Sequence, residues 1–158
     1  MILFVQILLV PNTMTMNFDD TFNADTTRRL EDLPADKKPL WGLLTALGLL
    51  GHLTEAVRYS LGLQGDTPQH DTFVSRNIIR PLILNGVIPI PKGVMGVELP
   101  FETGDLETLK LAMSELVDAL EQKKSVNKPH PLFGPLTVNQ WERFHLLHFQ
   151  HQLKQFDL

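Results

Sequence analysis

The sequence contains no cysteine, which excludes disulfides, thiolate metal ligands and a cysteine nucleophile. Any thiol chemistry would need a thiol from outside. It also lacks a basic surplus: 14 Lys and Arg stand against 18 Asp and Glu, the signs are interspersed, and the formal net charge is -4. No positive field is available for a phosphate backbone, and no run of aromatics with Arg or Lys offers base stacking, so nucleic acid is not an expected partner. The sequence shows no internal repeat and no polar–apolar alternation long enough to argue for a sheet. A membrane-spanning run is missing as well. The first ten residues, MILFVQILLV, are apolar but reach about half the length of a spanning helix, with no Lys or Arg before them. No membrane partner and a cytoplasmic location are expected. Residues 1–15, with Met14 and Met16 near their end, read as an apolar arm or a misassigned start, ahead of one domain over residues 16–158.

What the chain has is helical periodicity with clear punctuation. Phe18, Phe22, Leu30 and Leu33 recur at helical spacing in a segment that closes before Pro34, which predicts a helix over 18–32. A second helix begins between Pro39 and Thr45 and runs to Leu61, with Gly62 as its C-terminal cap. A shorter one is predicted from Thr72 to Leu84, closed by Asn85 and Gly86. Residues 87–103 hold Pro89, Pro91, Gly93, Gly96 and Pro100, too many breakers for regular structure, and read as a long crossing loop. Leu106, Leu109, Met113, Leu116, Val117 and Leu120 trace one apolar stripe behind Asp105 as cap. Thr137, with Gln140 three residues on, reads as a capping box that opens the last helix. The expected fold is an all-α four-helix bundle with a long crossover loop and a short extra helix.

The last helix concentrates the chemistry. Three of the six histidines, His145, His148 and His151, fall within seven residues of it. At roughly 100° per residue, Arg143, Gln150 and Lys154 mark its wet side, with Glu142 nearby, so Trp141, His145, His148 and Gln152 face inward and His151 sits at the margin. Polar groups in the middle of an apolar stripe must find partners, and a metal ion satisfies several at once. Upstream, His52 is isolated in the apolar run Leu43–Leu61, beside the small residues Gly48 and Ala56, an arrangement that leaves a hollow for an ion and a water. Glu55 and Tyr59, on the same face, are candidates to orient a ring N–H or to bond an oxygen in that hollow. The plainer readings make His130 a turn residue, His70 exposed, and Trp41, Trp141 and Phe133 core anchors. Lys92 and Gly93 would lie in a solvated loop.

Several short motifs occur in order: Pro39-Leu-Trp-Gly42, Leu50-Gly-His-Leu53 with Glu55 and Arg58, His130-Pro-Leu-Phe-Gly134, Leu136-Thr137 with Trp141, and His148-Phe-Gln-His-Gln-Leu-Lys-Gln-Phe156. Together, over residues 18–156, they resemble the DinB/YfiT-like metalloenzyme superfamily, and within it a branch without an assigned activity. The resemblance implies a helical bundle, often dimeric. It also implies a divalent metal held by one histidine of the second helix and two at i, i+4 of the last. Relatives include thiol-dependent S-transferases and an isomerase that uses low-molecular-weight thiols. Carried over, the ligands are His52, His148 and Gln152. Relatives in this branch carry two adjacent histidines where this chain has His151 then Gln152, so the departure strikes a ligand position. An amide is a weaker donor than imidazole toward zinc or nickel. Gln152 then ligates weakly, His145 replaces it from the same inner face, or the site is inactive.

Two functional classes follow. In one, the chain is a metal-dependent S-transferase or hydrolase, activating water or a low-molecular-weight thiol against a small electrophile, as a homodimer. In the other, it is a noncatalytic bundle whose His145, His148 and Gln152 form a buried polar network that fixes helix register or a dimer contact.

Overall fold

The computed structural model describes residues 16–92, 103–122 and 128–158. The expectations for residues 1–15 and for the middle of the crossing loop, 93–102, lie outside the described residues. Within them the protein is all-α: α1 (Asp20–Glu31), α2 (Ala46–Ser60), a π-helical turn (Ser75–Ile79) running into the short α3 (Arg80–Leu84), α4 (Leu106–Glu121) and α5 (Val138–Gln155). No helix among these residues is long and apolar enough to cross a membrane.

Each long helix starts where a side-chain oxygen takes one of the first-turn N–H groups that has no partner inside the helix. Asp19 accepts from Phe22 N at 3.0 Å, Thr45 from Gly48 N at 3.0 Å, and Asp105 from Thr108 N at 2.9 Å. The capping box on α5 is complete, with Thr137 Oγ1 accepting from Gln140 N and Gln140 Oε1 accepting from Thr137 N. At the other ends, Gly62 and Gly86 adopt positive φ of 74° and 72° and turn the chain out of α2 and α3, a conformation that costs glycine little.

The segment predicted as one helix over 72–84 is helical but locally widened. The Arg80 N–H reaches back five residues to Ser75 O, and Pro81 follows at once. Proline has no N–H to offer Asn77 O and its ring crowds that carbonyl, so the backbone gains a residue in this turn instead of breaking.

One core joins the four long helices. Leu49, Leu53 and Val57 of α2, Leu109, Met113 and Leu116 of α4, and Phe149 and Leu153 of α5 are essentially sealed from solvent. Each such side chain contributes roughly 1.5–3 kcal/mol by leaving water. Phe18 and Phe22 clamp α1 onto α5, their rings 5.3 and 6.0 Å from that of Phe149 in edge-to-face contact. Helix α2 packs on both α4 and α5, and α1 packs on α4. The approach of α4 to α2 is close at its start, where Gly104 N donates to Leu47 O at 2.9 Å and a Cβ on Gly104 would collide with the Gly51 backbone. Position 104 is therefore glycine for space.

Candidate metal centre

The α2–α5 contact carries the polar cluster. Helix α2 turns His52 toward α5, and α5 turns His148 and Gln152, one turn apart, toward α2. The two Nε2 atoms stand 2.9 Å apart, with the rings nearly perpendicular at 81° and their centroids 4.9 Å apart. Gln152 Nε2 lies 3.3 Å from His52 Nε2 and 3.4 Å from His148 Nε2. The hollow expected beside His52 is closed to hydrogen-bond distance.

Burial decides the charge of both rings. Desolvation lowers His52 from the ordinary histidine value to about 4. It pushes His148 well below that value, and the neighbouring charge of His52 adds to the effect. At neutral pH both imidazoles are uncharged, and each carries one ring lone pair. Between facing Nε2 atoms, one ring donates its N–H and the other accepts. The network leaves buried atoms unserved: His148 Nδ1 and Gln152 Oε1 have no hydrogen-bond partner among the described residues. Half a turn of the Gln152 amide would place its carbonyl oxygen against the histidines in place of its NH2.

This donor set fits a small divalent cation. Two nitrogens bound at roughly 2.05 Å are separated by about 2.9 Å across a right-angled bite and about 3.3 Å across a tetrahedral one. The edge between the histidines is 2.9 Å, and the two edges to the Gln152 amide terminus, measured at Nε2, are 3.3 and 3.4 Å, running from one end of that interval to just past the other. Among the described residues no three His, Cys, Asp or Glu side chains converge, so the third donor of such a face is the Gln152 amide.

The other candidates separate from this cluster. His145, the inner-face substitute for Gln152, is fully buried and bonds elsewhere: its Nε2 lies 2.8 Å from Ser60 Oγ, and Ser60 gives its own hydrogen to Val57 O. His145 is therefore the Nε2–H tautomer, held to about 3 by burial and stacked on Trp141. His151 stands at the rim beside Trp41, ring centroids 5.6 Å apart. Trp41 itself is half-buried with Lys92 Nζ 4.5 Å above its ring, which corrects its reading as a core anchor. Tyr59 turns away from His52, its hydroxyl donating to Pro129 O at 2.8 Å, so it has no part in the cluster. Glu55 remains half-buried one turn beyond His52 on α2.

His130 is the turn residue expected of it. Its Nδ1 accepts from Leu132 N and Phe133 N, and its backbone pairs with Gly134 in both directions. Trp141 and Phe133 are buried, and His70 is exposed. Two features were not foreseen. Phe144 stacks on His148 at 5.2 Å and 19° while meeting His130 edge-on, so it covers one face of the His148 ring. The four-residue spacing of Phe144 and His148 signals that contact. The Ser60–His145 bond had no such signal, because its partners are 85 residues apart.

Residues 87–157 match the model of a family described as Protein of unknown function (DUF1569). The match takes in α4 and α5, with His148 and Gln152, and stops short of His52. No curated protein and no solved structure matches the chain.

Proposed function

We propose that His52, His148 and Gln152 hold a divalent cation, zinc or nickel, in a DinB-like enzyme that turns water or a low-molecular-weight thiol against a small electrophile. The observation that carries this reading is the convergence of two neutral imidazole nitrogens and the Gln152 amide terminus, from two helices, at separations close to those of a coordination face. When bound, such an ion supplies Lewis acidity that lowers the pKa of a water or thiol. The residues present do the rest. Burial keeps His52 and His148 neutral, so no proton has to leave before their lone pairs are used. Phe144 covers one side of His148 and holds its ring plane. Gln152 brings no charge and a weaker donor than imidazole, which sets the affinity below that of a three-histidine site. The absence of cysteine makes any reacting thiol a cosubstrate.

A second reading has its own support. The three groups already meet at hydrogen-bond distance, so the cluster also works as a polar pin fixing the register of α2 against α5 in a noncatalytic bundle. Metal analysis of protein purified without a histidine tag separates the two. Stoichiometric zinc or nickel, with a melting temperature that falls on adding chelator, supports the metal centre; none, with melting unchanged by added zinc, supports the pin.

A further inference from the structure

A second cluster lies where the π-helical turn and α3 meet the start of α5. A cavity of about 360 Å³ opens there, lined by Arg76, Asn77 and Arg80 on one side and by Asn139, Gln140 and Arg143 on the other. Among the described residues no Asp or Glu lines it. In a chain with a formal charge of -4, three guanidinium groups on one cavity are a local inversion of sign.

Two of the three keep their charge. Arg76 is paired with Asp71. Among the described residues neither Arg80 nor Arg143 pairs with a carboxylate. Both are instead fixed by backbone carbonyls: Arg80 Nη1 donates to Phe133 O at 3.2 Å and Pro135 O at 3.0 Å, and Arg143 Nε donates to Leu84 O at 3.0 Å. A carbonyl holds a guanidinium in place without cancelling its charge, and leaves other N–H groups of the fork to donate. The cavity also receives the first turn of α5, an 18-residue helix whose leading N–H groups, at Val138 and Asn139, have no acceptor inside the helix and carry the positive end of its dipole. Asn77, Asn139 and Gln140 add amide groups on the same wall. Two fixed, unneutralised guanidiniums and a helix start suit a compact dianion better than a single carboxylate.

We propose that this cavity binds the phosphoryl group of a small phosphorylated molecule. Its volume leaves room beside the phosphoryl group for an organic portion, which makes a phosphomonoester a better occupant than free phosphate. The site stands apart from the histidine cluster: Arg143 and His148 are five residues apart, roughly 140° around α5, so the proposal does not rest on the metal reading.

The test is titration of the full chain with inorganic phosphate and with phenyl phosphate, followed by calorimetry at low ionic strength against a chloride control. Chelator is kept present so that phosphate captured by a metal at His52 and His148 does not contribute. Saturable one-to-one binding is expected, with phenyl phosphate at least as tight as phosphate. Asn139→Asp should weaken both at least tenfold by placing a carboxylate on the wall. The melting temperature should hold or rise, because an acid in the first turn of α5 favours that helix. Failure of both probes to saturate, or equal affinity in Asn139→Asp, overturns the site. Phosphate binding with phenyl phosphate excluded overturns the phosphomonoester.

Discussion

The Nε2 atoms of His52 and His148, 96 residues apart in sequence, face each other at 2.9 Å across the α2–α5 interface. Both rings are uncharged at neutral pH, and the Gln152 amide stands within 3.4 Å of each. Replacing that amide is the sharpest probe of the centre. In Gln152→His, a third imidazole at i+4 from His148 should raise zinc affinity at least tenfold, about 1.4 kcal/mol. Excess zinc should then raise the melting temperature more than in the parent. Calorimetry and melting curves with and without zinc check this; unchanged affinity counts against the metal centre.

Acid should unfold the protein through its buried histidines, both inside and outside the cluster. Burial holds His130 and His145 near 3, while in the unfolded chain they titrate around 6.5. Through these two rings alone the unfolded state binds two more protons in that window, and His52 and His148, also lowered by burial, add to the difference. Stability is complete above about pH 7, falls as pH drops below 6.5, and levels off only near 3, with a slope on the order of 2.8 kcal/mol per pH unit for two protons. Urea midpoints measured between pH 8 and 4 give that slope; a flat profile would show that both rings stay accessible to protons in the fold.

Phe149 is the joint between α1 and the rest. It is fully buried and touches both Phe18 and Phe22. Phe149→Ala should cost about 3–5 kcal/mol. Because the lost contacts are those of α1, amide exchange in residues 20–31 should accelerate more than in α4.

Gly104→Ala should destabilise by about 1–3 kcal/mol, since the added methyl meets the backbone of Gly51 rather than a side chain that can turn aside. Gly51 precedes His52, so the same change should also lower zinc affinity. A variant as stable as the parent in urea would remove the close helix approach from the account.

Much of this architecture can be read directly from the chain. The caps Asp105 and Thr137 announce their helix starts because each satisfies an orphan N–H locally, whereas the start of α2 is bounded only between Pro39 and Thr45; the apolar stripe of α4 needs only its own period. The inward direction of His148 and Gln152 follows from the wheel of α5. What the wheel does not contain is the partner. His145 and His148 share that inner face, yet one meets Ser60 and the other His52, a choice made by how far α2 is displaced along α5. Tyr59 shows the same limit: two turns from His52 on one helix, it faces Pro129 because its phenol reaches past the helix edge to a loop. Arg143 reads from the wheel as part of the wet side of α5, and only the meeting of α3 with α5 puts it on one cavity with Arg80.

The end of α5 is stitched to the loop before α2. Leu40 N donates to Gln155 O at 2.6 Å, Gln155 Nε2 donates to Trp41 O at 2.7 Å, and Phe156 is fully buried. The tail is thus a fastener for the rim where Trp41 and His151 meet. Trimming the last four residues would release that loop to swing outward, while an affinity handle fused directly behind Leu158 would tug on the same seam.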